Sequence, residues 1–271
     1  QIGKIRILDP ACGSGSFLIG AFDYLVEYHR QWYAEHRTEK KSKNDWYETP
    51  EGEVRVTIQK KREVLKNNIY GVDIDREATE VAIMSLYLKL LDEGFDKGEA
   101  QLFVGTLLPD MTANIKCGNS LIGSDYYEGR DLKLFSDQEF KGVNAFDWSG
   151  KNGFPEIMNA GGYDCVIGNP PYVRQEMLSE YKEYFQSHFK VYHGVADLYA
   201  YFIERGVSLI KPGGRFSYIV ANKWMRANYG GPLRDFLLKS GIADYRLRRS
   251  SGISGRNHLS LHHNSSKGSN R

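Results

Sequence analysis

Asn169, Pro170, Pro171 and Tyr172 close the run "YDCVIGNPPYV", residues 163–173, in which a short apolar stretch climbs to a glycine and stops at two prolines. Consecutive prolines end a strand or a helix, so the quartet is predicted at the lip of a buried strand. An amino group on a planar ring has its lone pair delocalised into the ring and is a poor nucleophile. Two acceptors set around such an NH₂ hold it and favour the pyramidal form whose lone pair is available. The Asn169 side-chain oxygen is one acceptor. The Pro170 carbonyl is the other, directed outward by a residue with a fixed φ and no N–H. Pro171 stiffens the loop so that neither acceptor wanders, and Tyr172 offers a π face for a flat base. Taken singly, the prolines are a loop stop and the tyrosine a surface-packed aromatic. Together, at the end of a buried strand, they argue for chemistry.

A second group lies near the start of the chain. "DPACGSGSF", Asp9 to Phe17, joins an apolar run to a helical one through Gly13 and Gly15. The glycines permit a sharp turn and close approach of a ligand, and the helix start that follows offers N–H groups to an anion. The dinucleotide pattern G-x-G-x-x-G is not met, because Leu18 stands at its third glycine, and no phosphate loop with Gly-Lys-Ser/Thr is present. Asp9 can accept from an ammonium group or order the loop, and a tight turn with a capping aspartate remains the alternative. A bound molecule with an amine and a carboxylate, like the methionine part of S-adenosylmethionine, suits the first option. In "YGVDID", Asp73 at a strand end can accept both hydroxyls of a ribose, Ile74 offers an apolar face to an adenine ring, and Asp75 suits a helix N-cap. In "CGNSL", Asn119 is either a reader of an adenine amino group or a turn asparagine.

These groups require an alternating framework. A first strand is predicted at Lys4–Leu8, a helix from Ser16 to about His36, a second strand at "NIYGVDID", a helix to about Asp92, a third strand at "NIKCG" and a fourth at "YDCVIG". Helices near Glu176–Phe189 and Ala196–Leu209 follow, then a "KPGG" turn into the strand "RFSYIV" and a short helix in "GGPLRDFLLKSG". Strands alternating with helices give an α/β fold with a doubly wound, mostly parallel sheet, whose ligands sit beyond the carboxyl ends of the strands. Three of the motifs fall at that edge. The polar stretch 37–66 reads as an inserted flap with a hairpin at Pro50–Gly52, and 124–162 as a second, long insertion. One core is thus expected over 1–245. Residues 246–271 are rich in Ser, Gly, Arg and His and are expected to be disordered or artificial.

Hydrophobic residues make up 41% and charged residues 26% of the 271, an ordinary soluble composition. The opening "QIGKIRILDPACGSG" does not read as a signal peptide, and no apolar run reaches the length of a membrane span. Cys12, Cys117 and Cys165 are isolated, which argues for a cytoplasmic setting and against disulfides or a structural zinc site. The net charge of +2 is uneven: six basic residues and no acid lie in 246–271, leaving 30 basic against 34 acidic residues over 1–245. Global charge therefore makes no case for nucleic-acid binding. No metal site is expected: three histidines lie in 246–271 without a carboxylate beside them.

"DPACGSGSF", "YGVDID", "CGNSL" and "VIGNPPYV", in that order, resemble the amino-methylating DNA methyltransferases, above all the adenine-N6 methylases of restriction–modification and phage-defence systems of the fused type IIG group. The resemblance covers roughly Ile5 to Tyr245. It implies a class I S-adenosylmethionine-dependent fold and methyl transfer to adenine N6 in double-stranded DNA with the adenine flipped out. No metal is needed, because the sulfonium methyl is itself the electrophile. Carried over, Asp9, Ala11, Gly13 and Gly15 fall to the methionine end of the cofactor, and Pro10, Phe17 and Asn169 are also cofactor-binding. Asp73 falls to its ribose, and Ile74 and Asn119 to its adenine, with Asn169 at the reacting centre. Asn169, Pro170, Pro171 and Tyr172 are the catalytic quartet, and Asp197 resembles a family position lining the site, or is a helix N-cap. Asn before the prolines favours adenine over cytosine. The family's helical region before the first motif, and its target-recognition domain or subunit, have no counterpart in these residues. The rival readings are a methyltransferase acting on protein glutamine or an RNA base amine, and a catalytically silent cofactor-binding module. A dinucleotide-dependent oxidoreductase is disfavoured by Leu18.

Overall fold

A computed structural model describes residues 2–37, 44–92, 108–129, 136, 142–173, 179–240, 242–249 and 256–263, the last two as backbone. The strands are β1 (Ile7–Asp9), β2 (Trp46–Glu48), β3 (Val54–Val56), β4 (Ile69–Asp73), β5 (Ile115–Cys117), β6 (Tyr163–Gly168), β7 (Ile210–Ala221), β8 (Ile242–Arg249) and β9 (Arg256–His263). The helices are α1 (Ser16–Glu35), α2 (Ile58–Asn68), α3 (Arg76–Leu91), α4 (Pro155–Asn159), α5 (Lys182–His188), α6 (Leu198–Ser208) and α7 (Gly231–Lys239). Seven strands form one sheet in the order β5-β4-β1-β6-β7-β9-β8, and β2 and β3 form a separate hairpin. The five strands from β5 to β7 run parallel, while β9 is antiparallel to both its neighbours.

The chain builds outward from β1 in both directions, so the order reverses between β1 and β6, where doubly wound sheets bind ligands. The short strands are buried, as parallel strands covered on both faces must be. On one face α1, α2 and α3 pack a core that includes Leu18, Leu65, Leu86 and Ile69. On the other, α4, α5 and α6 pack an aromatic-rich core with Tyr163, Phe185, Tyr201 and Phe216.

Most predicted elements are present within a few residues, and Asp75 is the N-cap of α3, accepting from the Glu77 N–H at 2.9 Å. The predicted hairpin is β2–β3, with Gly52 in the left-handed region at φ 85°. Three differences have physical causes. The second half of the 37–66 segment is no flap: α2 buries Ile58, Val64 and Leu65 at helical spacing, a pattern its lysines and arginines mask in the sequence. Within 124–162, Tyr126, Phe146, Trp148, Phe154 and Ile157 enter the aromatic core, held there by turns that leave no periodic trace. Residues 130–135 and 137–141 lie outside the described residues.

The third difference is at the end of the chain. Arg256–His263, expected to be disordered, is β9, which pairs with β7 from Arg215↔His262 to Ala221↔Arg256. A buried strand with an open edge leaves its N–H and C=O groups unpaired, and β9 closes that edge. Residues 250–255 and 264–271 lie outside the described residues, as do 174–178, which include the start of the helix expected near Glu176–Phe189. Among the described residues no helix is long and apolar enough to cross a membrane.

Candidate active site

Asp9 ends β1, and the chain then turns through Gly13 and Gly15, both left-handed with φ 51° and 87°, into α1. The Asp9 side chain points inward and is 1% exposed. Its Oδ1 accepts from the Ala11 N–H at 3.0 Å. Burial pushes its carboxyl up to about 7, against the lowering effect of that hydrogen bond, and the negative charge of Asp73 adds to the rise. A buried acid poised near neutrality can present a negative charge to a cationic ligand group.

The pairing Leu8↔Val166 brings the end of β6 beside the end of β1. Gly168 stands there because a Cβ in its place would lie 2.7 Å from Asp9 Oδ1. One residue further, Asn169 Oδ1 is buried and has no hydrogen-bond partner. Buried side-chain acceptors are nearly always paired, so an orphan at a site marks a place for a donor.

β4 delivers Asp73 to the same edge. Its Oδ2 accepts from the Gly13 N–H at 2.8 Å and its Oδ1 from the Asp75 N–H at 3.0 Å. One carboxylate therefore ties the β1 loop to the β4 loop. Ile74 beside it is 49% exposed. After β5, Asn119 has both ends of its amide in use: Nδ2 donates to the Val143 carbonyl at 3.2 Å, and Oδ1 accepts from the Leu121 N–H at 3.1 Å. These bonds leave one N–H and one acceptor position of the amide, and Asn119 also lines the cavity described next, so both readings of it stand.

These loops enclose a cavity of about 380 Å³, within the usual range for small-molecule sites. Pro10, Ala11 and Gly13 line it from the first motif, Asp73, Ile74 and Asn119 from the next two, and Asn169 and Pro171 from the fourth. Among the described residues Asp9, Gly15, Phe17, Pro170, Tyr172 and Asp197 are not on its wall. Asp9 lies beneath it, and Gly15 and Phe17 belong to the start of α1. The apolar wall opposite the loops comes from Phe185 on α5 and from Leu198 and Phe202 on α6, with Leu121 and Ile122 beside Asn119. No motif points to these side chains; only their helical spacing, which marks them as core, is visible in the sequence.

Tyr172 is 40% exposed beside the cavity. Its ring packs near Tyr199 with centroids 5.9 Å apart, and its hydroxyl donates to the Ile219 carbonyl on β7 at 3.2 Å. The Leu198 N–H donates to the Val173 carbonyl at 2.9 Å, fastening the start of α6 to the end of the quartet. Asp197 has the extended backbone of an N-cap, yet its side chain makes no cap hydrogen bond, so its placement does not follow from helix capping alone.

The residues present suit the cofactor implied by the resemblance. They supply a buried acid beside a turn rich in backbone N–H groups, a carboxylate at a strand end, and an apolar wall for a ring. Asn169, whose Oδ1 is an orphan acceptor, is among the lining residues.

Comparison with known proteins agrees with this arrangement. The family model described as Eco57I restriction-modification methylase matches residues 67–244, and a second, described as RMKL-like, methyltransferase domain, matches residues 3–88. The type II restriction enzyme and methyltransferase RM.Eco57I of Escherichia coli is 30% identical over 248 residues, 88% of this chain and 22% of the relative. The adenine-specific methyltransferase BrxX of Escherichia coli O9:H4 (strain HS) is 24% identical over 297 residues, 87% of this chain and 22% of that protein. This chain thus spans about a fifth of the length of these relatives. Among solved structures, the type IIL restriction-modification enzyme MmeI in complex with DNA superimposes with a TM-score of 0.58 at 16% identity, over 98% of this chain and 32% of that one. The mostly parallel sheet with helices on both faces agrees with the class I S-adenosylmethionine-dependent methyltransferase fold that the resemblance implies. A family model covering more than half of the residues, over this fold and this cavity, identifies the chain as a member of the Eco57I-type restriction-modification methylase family.

Proposed function

We propose that this chain is the catalytic core for methyl transfer from S-adenosylmethionine to the N6 amino group of adenine in double-stranded DNA. The observation that carries the reading is that Asn169, a residue of the cavity lining, holds a buried Oδ1 with no hydrogen-bond partner. The names of the relatives, a restriction enzyme and methyltransferase and an adenine-specific methyltransferase, support the substrate.

In this reading Asp73 accepts from the ribose hydroxyls of the cofactor, Ile74 and the α5–α6 wall bury its adenine, and Asp9 faces its ammonium group. When bound, the cofactor supplies an electrophilic methyl group on a sulfonium. The chain positions the nucleophile. Asn169 Oδ1 and the Pro170 carbonyl accept the two N–H hydrogens of a base turned out of the duplex, and Tyr172 stacks on its ring. Both acceptors stabilise the positive charge that develops on N6 as it attacks, and both are fixed before the base arrives.

The test is methyl transfer from labelled cofactor to duplex DNA, RNA and protein extract, with the modified base identified after digestion. N6-methyladenine in DNA is expected. Label appearing only in RNA or protein would overturn the substrate reading and favour its rivals. Asn169→Ala is expected to lower turnover by about 10²–10³-fold, as loss of one preorganised polar group does elsewhere, with cofactor affinity little changed. Wild-type turnover in that variant would remove Asn169 from the mechanism.

A further inference from the structure

The strand that receives the Tyr172 hydroxyl ends two residues later, at Ala221, and runs straight into two short turns, Lys223–Met225 and Asn228–Gly230. These turns stand at the carboxyl edge of the sheet, next to the quartet. Two features set them apart from an ordinary surface loop.

The first is their buttressing. Trp224 is buried beneath them. Arg234 on α7 sends Nη1 to two of their carbonyls, Trp224 at 2.6 Å and Ala227 at 3.1 Å. A guanidinium that holds two carbonyls of one turn fixes its shape from below.

The second is the charge on their outer side. Lys223 and Arg226 are exposed, and among the described residues neither side chain has a hydrogen bond or ion pair. The surface elsewhere pairs many of its cations: Arg30 with Glu27, Arg37 with Glu48, Lys89 with Asp23 and Lys211 with Asp164. The chain over 1–245 carries more acid than base, so two unpaired cations side by side do not follow from a generally basic surface. They are also aligned. Arg226 caps the 3₁₀ turn that begins at Lys223, and positions three apart in such a turn lie one above the other at a rise of about 6 Å, so the two residues stand on the same side of the turn. Backbone bonds to the Lys223 carbonyl, from Arg226 at 3.2 Å and Ala227 at 3.0 Å, hold them in that relation.

We infer that this buttressed turn is a phosphate clamp: Lys223 and Arg226 bind successive phosphates of one DNA strand beside the nucleotide whose base reaches Tyr172. The inference rests on duplex DNA being the substrate, as proposed above. Phosphate contacts carry no sequence information; they fix the position and register of the duplex. The clamp gives the chain a means of holding the backbone at the flipped nucleotide that is independent of whatever reads the bases.

The test is the salt dependence of duplex binding by the full chain, followed by fluorescence anisotropy across a range of KCl with the cofactor product present. Each neutralised phosphate contributes about −0.9 to the slope of log Kobs against log salt. Lys223→Gln and Arg226→Gln are each expected to make the slope shallower by about 0.9, and the double variant by about 1.8. Arg226→Lys should restore the slope, because a point charge suffices. Arg37→Gln, which removes a paired cation from α1's far end, should leave it unchanged. Cofactor affinity, measured in parallel, is expected to stay the same in every variant and reports that the fold is intact. An unchanged slope in the double variant overturns the clamp, as does an equal loss in Arg37→Gln. A wild-type protein that binds cofactor but no duplex, even at low salt, overturns the substrate reading itself, and that outcome is distinct from the other two.

Discussion

Asp9 shows how much one residue can do without touching the reacting atoms. Its carboxyl is held up to about 7 chiefly by burial, well above its ordinary value near 4. The folded protein therefore holds this proton more tightly than the unfolded chain. The stability it contributes is present at acid pH and is lost as pH rises from about 4 to about 7. A cationic ligand group opposite Asp9 favours the ionised form, so cofactor affinity is expected to rise with pH through 7 and then level off. Titration calorimetry between pH 5.5 and 8.5 would read this, and Asp9→Asn should flatten the profile. A profile equally steep in Asp9→Asn would remove Asp9 from the contact.

At the scale of elements, the turn motifs were legible and the helices that complete the site were not. A strand end, a glycine turn and a capping acid are written in adjacent residues, so "DPACGSG", "VDID" and "NPPY" could be read directly, with Asp75 as the cap it proves to be. Phe185 and Phe202 reach the cavity through tertiary packing of α5 and α6, and nothing near them in sequence distinguishes a ligand wall from a core. α2 was hidden for a different reason: its charged residues lower its mean hydropathy, although one face is buried. It is expected to behave as core. Leu65→Ala should cost about 2–5 kcal/mol in a urea melt, and loss of the Thr57 cap, which accepts from the Lys60 N–H at 3.3 Å, about 1 kcal/mol. Losses below about 0.5 kcal/mol in both would restore the picture of a dispensable flap.

Across the whole molecule, the cavity lies at the carboxyl edge of the sheet, against the aromatic core. Leu121, Ile122, Phe185 and Phe202 belong to the aromatic core side, while Gly13 and Asp73 sit at the ends of the loops above α1 and α3. A ligand in this position bridges the strand-end loops and the aromatic core and should stabilise them together. At a hundredfold excess over its dissociation constant, S-adenosylmethionine or its product is expected to add about 2.7 kcal/mol to the unfolding free energy, with a single transition shifted to higher temperature. A well-folded protein whose transition does not move would count against cofactor binding.

The Asp73 carboxylate has a kinetic consequence. It accepts from Gly13 on one loop and Asp75 on the other, so the chain's own hydrogen bonds join the two loops. A site ordered in advance has little structure left to form on encounter. Association should then be a single concentration-dependent phase in stopped-flow fluorescence, without the slow, saturating step that marks a rearrangement, and differences in affinity among cofactor analogues should reside in how fast they leave.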